Sequence, residues 1–158
     1  MLGRSLGALL LSIPLPALAN DAAVFVTFWA NSGSLPPEYA WDVNVIITVD
    51  GQLSLKHCRG YETEGPACTT STAKVDAAAL GAIREAAITA QVFGNPAQET
   101  SDIPVGGGAR GGSVAQGGEV AVLSAWPVEA DAERVGAVLD AIYSAIPTEL
   151  STKFIEDN

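Results

Sequence analysis

Three residues could give this chain a redox or metal-binding site: His57, Cys58 and Cys68. The only histidine stands beside one of the only two cysteines, a pairing that could ligate a metal or activate a thiolate. Such a site needs further ligands or an orienting group, and the cysteines lack the C-x-x-C spacing of a redox pair or zinc knuckle. An even cysteine count instead predicts one disulfide, Cys58–Cys68, with the metal or thiol alternative still open.

A second pattern is formed by Gly106, Gly108 and Gly111, which match the G-x-G-x-x-G spacing of dinucleotide-binding loops. In that motif a strand precedes the glycines and a helix follows, so that the helix N-terminus meets the pyrophosphate. Here the glycines lead towards a predicted strand at 119–126, so nucleotide binding is not expected. Seven of the thirteen residues at 106–118 are glycine. This density predicts a mobile surface loop, because ordering glycine has a high entropic cost.

The acidic side chains form no recognisable catalytic set. Glycoside hydrolysis needs two carboxyl groups at a defined separation, and nothing places Glu62 or Glu64 at such a distance from another acid. The sequence contains no EF-hand loop, no G-x-S-x-G and no H-E-x-x-H motif. We therefore predict no catalytic, cofactor-binding or metal-binding residue, and no cofactor.

Three aromatic residues are the candidates for recognition of a partner: Tyr39, Trp41 and Tyr61. They lie in or beside predicted loops at 30–40 and 58–72, and aromatic side chains are enriched among the residues that dominate binding energies. The alternative for Trp41 is packing over the edge of the sheet.

The N-terminal segment predicts export from the cytoplasm. Arg4 precedes an apolar run, and Ala19 is the last residue of an A-x-A cleavage site, so residues 1–19 are expected to be a signal peptide. The mature chain would begin at Asn20. Prolines interrupt the run, which is too short for a spanning helix of ~20 apolar residues. The expected location is the periplasm or the extracellular space, where disulfides persist.

The charge of the chain limits its partners. The formal net charge is −10 at pH 7, and removal of Arg4 with the signal peptide makes the mature chain more acidic. A surface of this sign repels nucleic acid and anionic membranes. The expected partner is another exported protein, and neither nucleic acid binding nor a stable membrane anchor is expected.

Patterns typical of strands and of helices alternate along the sequence, and these elements would position the residues described above. Strands are predicted at 23–29, 42–49, 53–58, near Val114 and at 119–126, and helices at 77–91, with Asp76 as N-cap, and 129–146. The order β-β-β-α-β-β-α predicts an α+β fold, an antiparallel sheet of about five strands with two helices packed on one face. The expected organisation is a single domain at 20–147 followed by a tail at 148–158.

The turn at Gly51 allows the strand register to be predicted. A two-residue loop would set apolar residues against polar ones throughout the hairpin. A three-residue loop with Gly51 in the left-handed region pairs Ile47 with Leu53 on one apolar face, and a consistent apolar face fixes register. We therefore predict the three-residue loop, which places Val43 opposite His57 at the end of that face.

The layout of residues 43–146 supports a comparison with a known family. Its markers are a hairpin around Asp50-Gly51, a helix closing at Val92-Phe93, the element Thr100-Ser101-Asp102, a further strand, and a last helix ending at Ile146-Pro147. In this layout, which covers about two thirds of the chain, 43–146 resembles emfourin, a family of small bacterial domains that inhibit metalloproteases. The resemblance implies a non-catalytic, protein-binding role and transfers no functional residue. The glycine-rich stretch 106–118 and the Cys58–Cys68 loop depart from the family pattern.

These observations favour an exported domain that binds another protein as an inhibitor or accessory subunit. One alternative is a small exported hydrolase or ligand-binding protein, which would show a pocket with convergent polar groups and a perturbed carboxyl group. Another is a structural component of the cell envelope. A surface that exposes Trp41 or Tyr61 would favour the protein-binding hypothesis.

Overall fold

The computed structural model of this protein describes residues 23–61 and 67–152. The predicted signal peptide, its cleavage site at Ala19 and Asn20, residues 62–66 and the tail beyond residue 152 lie outside the described ranges.

Six antiparallel strands form one sheet: β1 Val24–Asn31, β2 Trp41–Thr48, β3 Gln52–Arg59, β4 Ala67–Lys74, β5 Ala109–Gln116 and β6 Glu119–Leu123. Their spatial order is β4-β3-β2-β1-β5-β6. Three α-helices complete the described part of the fold: α1 Ala77–Thr89, α2 Glu129–Ala145 and the short α3 Thr148–Ser151. The predicted α+β class is confirmed, with six strands where about five were expected and a third, short helix.

The strand missed by the prediction is β4, which occupies part of the expected polar loop 58–72. It lies at the edge of the sheet, and most of its side chains are exposed on both faces. An edge strand with no buried face has no apolar alternation, which is the main signal for a strand in a sequence. The β-branched threonines at 69, 70 and 72 were the remaining indication.

The prediction of a mobile loop over 106–118 is wrong for most of that stretch, because 109–116 forms β5 in the interior of the sheet. The glycines of β5 let it lie close to β1. A Cβ atom at Gly112 would lie 2.2 Å from the carbonyl oxygen of Thr27, and one at Gly111 would lie 2.8 Å from the Trp29 indole. Gly111 and Gly112 therefore reflect close packing within the sheet, whereas Gly106, Gly107, Gly117 and Gly118 have positive φ in the segments that flank β5.

The predicted hairpin register is confirmed. Ile47 lies opposite Leu53 and Val43 lies opposite His57, with Gly51 at a φ of +84° in the connecting turn. These inward-facing residues of β2 and β3 are buried, whereas the outward-facing Ile46 is 45% exposed. The alternation explains why the hairpin could be aligned from the sequence alone.

Helices α1 and α2 pack against each other and share one core with the buried face of the sheet. The predicted N-cap of α1 is confirmed, since the Asp76 carboxylate accepts a hydrogen bond of 2.7 Å from the backbone NH of Ala79. Fully buried side chains such as Phe25, Ile83 and Ile142 form the centre of the core. Each such side chain contributes about 2 kcal/mol through removal from water.

Candidate functional site

Antiparallel pairing brings three connections of the chain to one end of the sheet. Asn31 at the end of β1 lies opposite both Asp42 in β2 and Ala109 in β5. At the same end, Trp41 lies opposite Arg59, the last residue of β3. The segments next to these positions form one surface, which we call the loop end: residues 32–40, 60–61 and 101–108.

The first segment of the loop end is tied to the sheet through Ser32, a buried polar residue. The Ser32 backbone NH donates to the carbonyl of Trp41, and the Trp41 backbone NH donates to the Ser32 hydroxyl, each at 3.0 Å. The Asn31 side chain accepts a further bond of 2.9 Å from the NH of Gly33. These bonds hold both ends of the β1–β2 connection.

The first and third segments are in direct contact at Gly33. Its φ is +72°, and a Cβ atom built on it would lie 1.7 Å from the carbonyl oxygen of Gly107. Only glycine combines this conformation with so close an approach. A Cβ atom at Gly108 would lie 2.8 Å from the Asn31 carbonyl oxygen, so a side chain would also clash there, though by less than at Gly33.

The second segment packs onto the first. The NH of Gly60 donates to the carbonyl of Ala40 at 2.9 Å, and the Tyr61 hydroxyl donates to the carbonyl of Leu35. The three segments therefore form one continuous surface.

This surface carries a cluster of exposed apolar and aromatic side chains. Among the described residues, five of the eleven large hydrophobic side chains that are exposed belong to it: Leu35, Tyr39, Tyr61, Ile103 and Val105. Single exposed apolar side chains are normal on protein surfaces, whereas a cluster of them marks an interaction site.

The structure places two of the three predicted recognition residues on the loop end and the third against the core. Tyr39 is 61% exposed and Tyr61 is 37% exposed, and both lie on the loop end. Trp41 packs against the hydrophobic core, and its buried indole nitrogen Nε1 has no hydrogen-bond partner among the described residues. Its side chain is partly buried, and its strand β2 lies inside the sheet, with β3 and β1 on either side, whereas the alternative expected packing over a sheet edge.

Sequence reasoning missed Ile103 and Val105. They flank Pro104 in a stretch of glycine, serine and aspartate, where no periodicity marks them as core or surface. Val105 is nevertheless fully exposed and Ile103 is 53% exposed. The available signal was the presence of two β-branched apolar residues in a segment with no strand or helix pattern.

The cysteines form the predicted disulfide, Cys58–Cys68. They lie directly opposite each other in β3 and β4, so the bond holds together the two strands from which the 59–67 connection emerges. Both sulfur atoms are consumed, which removes the thiolate alternative for His57-Cys58. His57 is buried on the inner side of the sheet, opposite Val43 and Thr69.

Among the described residues, two carboxyl groups have clearly shifted pKa values, and both shifts are downward. A hydrogen bond from the Thr48 hydroxyl lowers the pKa of Asp50 in the β2–β3 turn. The backbone NH of Gln98, together with the Arg134 guanidinium, lowers the pKa of Asp131 in the first turn of α2. A lowered pKa favours the charged carboxylate and fits a structural role better than a general acid, which needs a raised pKa.

No model of a protein family matches this chain, and a search of curated proteins finds no relative. No helix among the described residues is both long and apolar enough to span a membrane.

Proposed function

We propose that this protein is an exported, non-catalytic domain that binds another protein through the loop end, as an inhibitor or accessory subunit. The contact between Gly33 and Gly107 carries the proposal, because it joins two connections into one apolar surface. Loops held by a rigid sheet are a common way to present binding residues, since little ordering entropy remains to be lost on association. The resemblance to emfourin supports the inhibitor form of the proposal.

The chemistry of the loop end favours a protein partner. Tyr39 offers a large aromatic surface with a polar hydroxyl, and Ile103 and Val105 offer apolar contacts nearby. A core of aromatic and aliphatic side chains with a polar rim is the usual anatomy of a protein interface. The net charge of −10 favours a partner whose binding face is basic.

The test is capture of a partner by the immobilised chain from Asn20 onwards, using the envelope fraction and culture medium of the producing cells. A double variant, Tyr39→Ala with Ile103→Ser, should capture at least about tenfold less of any specific partner, since hot-spot residues carry most of the binding energy. The matched control is Val49→Ser, because Val49 is 48% exposed but lies in the β2–β3 turn at the opposite end of the sheet.

Equal capture by the double variant and the control would show that the loop end is not the binding surface. A specific partner is one that added soluble wild-type protein displaces from the immobilised protein. If the wild-type protein captures no such partner, the protein-binding proposal is wrong.

The export part of the proposal is tested separately. The Cys58–Cys68 disulfide is compatible with an oxidising compartment. Intact mass of the chain recovered outside the cytoplasm should correspond to an N-terminus at Asn20. Retention of residues 1–19 on the recovered protein would contradict export by a cleaved signal peptide.

A further inference from the structure

A crevice lies at the opposite end of the sheet from the loop end. It is a cavity of about 740 Å³ between the C-terminal end of α1 and the β5–β6 turn. Its apolar wall contains Ile88, which is 57% exposed, and the half-buried Phe93. Its size falls within the range of small-molecule sites in proteins.

The polar lining of the crevice consists mainly of side-chain carboxamides. Gln91, Asn95 and Gln116 line it, and their exposed side chains make no hydrogen bond within the described part of the chain. Of the described residues in the lining, Glu119 alone is charged, and one of its carboxylate oxygens accepts a bond of 3.0 Å from the NH of Gly94. Three exposed carboxamides with no hydrogen-bond partner in the described part of the chain therefore line one open space.

The backbone at Gln91 is an outlier that the local sequence does not require. Its φ is +50°, and it is the only residue other than glycine with positive φ among the described residues. The NH of Gln91 donates to the carbonyl of Ile88 and the NH of Val92 donates to that of Ala87. This is a Schellman motif, in which the position of Gln91 is usually glycine because other residues are strained there.

A strained residue that lines a cavity is evidence for a functional constraint. Glycine at position 91 would close α1 with less strain but would remove a carboxamide from the crevice. The backbone of Asn95 is held in place, since the Arg134 guanidinium donates to its carbonyl at 3.0 Å. Its side chain makes no hydrogen bond within the described residues. The wall is therefore held in place while its polar groups remain available.

We propose that this crevice binds a neutral saccharide. Each carboxamide both donates and accepts hydrogen bonds, which matches sugar hydroxyl groups, themselves both donors and acceptors. Ile88 and Phe93 provide an apolar wall for the CH face of a sugar ring. The described residues that line the crevice include no cation, and Glu119 disfavours an anion, so phosphorylated and acidic ligands are not expected. One common mode of peptide recognition adds a strand to an exposed sheet edge through backbone hydrogen bonds, whereas this wall presents side-chain amides.

The experiment is an NMR titration of the ¹⁵N-labelled chain with cellobiose, lactose and N,N′-diacetylchitobiose, with the peptide Gly-Leu-Gly and inorganic phosphate as comparison probes. At least one disaccharide should shift the side-chain amide resonances of Gln91, Asn95 and Gln116 in a saturable manner, with a dissociation constant of about 1 mM or tighter. The probes without sugar should leave these resonances unchanged.

Two variants separate binding from stability. Gln91→Gly should weaken saccharide binding at least tenfold while raising the melting temperature by about 3 °C, because it relieves the left-handed strain. Gln116→Ala should weaken binding without changing the cap of α1. Gln98→Ala, an exposed glutamine outside the crevice, is the matched control and should bind as the wild type does.

The proposal is overturned if none of the three disaccharides moves these resonances, or if Gln91→Gly binds as tightly as the wild type. A response to Gly-Leu-Gly alone would assign the crevice to peptides and would also overturn it. None of these results bears on the loop end, which lies at the other end of the sheet.

Discussion

Gly33 and Gly107 are 74 positions apart in the chain, yet a single methyl group added to Gly33 would lie 1.7 Å from the carbonyl oxygen of Gly107. This contact joins the β1–β2 connection to the segment that enters β5. Leu35 and Tyr39, exposed on the first segment, and Ile103, exposed on the third, therefore belong to segments that this contact holds together.

Gly33→Ala should therefore lower the free energy of unfolding by more than the strain of alanine at positive φ would by itself. We expect a loss of about 2 kcal/mol or more in the free energy of unfolding, since the added methyl must displace backbone atoms. Gly117→Ala is the matched control, because Gly117 also has positive φ, +60°, but has nothing within 4 Å of its Cβ position. Urea denaturation measures both, and equal losses would show that the Gly33–Gly107 contact contributes nothing.

Gly112→Ala should destabilise the sheet, whereas Gly136→Ala should stabilise the protein. The Cβ of residue 112 would lie 2.2 Å from the Thr27 carbonyl oxygen, so β1 and β5 would have to separate, at a cost of more than about 2 kcal/mol. Gly136 lies inside α2 with nothing within 4 Å of its Cβ position. Alanine there should add about 0.5–1 kcal/mol through its higher helix propensity. Chemical denaturation measures the free energy of unfolding of both variants. If both substitutions changed it in the same direction, this account would be contradicted.

Reduction of Cys58–Cys68 should lower the melting temperature without unfolding the domain. The bond closes a short loop, with a sequence separation of 10. The chain-entropy model gives roughly 2.8 kcal/mol for such a loop, or a decrease of at most about 10 °C. Calorimetry with and without a phosphine reductant measures the effect, and a Cys58→Ser, Cys68→Ser double variant should not respond to the reductant. An unchanged melting temperature, with both thiols shown to be free, would mean that the β3–β4 pairing alone restrains the strands.

Asp131 should make stability depend on pH in the acid range. Its carboxylate accepts bonds of 2.8 Å from the Gln98 NH and 2.9 Å from the Arg134 side chain. These contacts lower its pKa in the folded state. The stabilisation is therefore complete above the ordinary aspartate pKa of about 3.9 and is lost as pH falls through the lower folded-state value.

The measurement is the melting temperature of wild type and Asp131→Asn from pH 7 down to about pH 2.5. The wild type should be the more stable at neutral pH, and the difference should shrink below about pH 4. Glu129→Gln removes another acid from the same turn of α2, one without a hydrogen bond in the described residues, and should differ less from wild type at every pH. A difference between wild type and Asp131→Asn that stays constant with pH would contradict this role for the carboxylate.

Features that depend on neighbouring residues could be predicted from the sequence alone. Asp76 caps α1 because its carboxylate reaches the backbone NH three residues further along the chain. Ile47 pairs with Leu53 because, with a short turn and an alternating pattern, a single register gives a continuous apolar face. The disulfide followed from there being only two cysteines in the chain. In each case the interacting groups are close in sequence or have no other partner.

The tertiary structure decided what depends on distant neighbours. Glycines at 111 and 112 indicate a flexible loop when considered alone, but become a central strand because β1 approaches too closely for a side chain. Similarly, Ile103 belongs to the loop end, and Gln91 and Gln116 line the same crevice, only because strands far apart in the chain are paired. Local sequence patterns indicate which residues can be buried or can form turns, whereas the pairing of distant strands determines which of those residues come into contact.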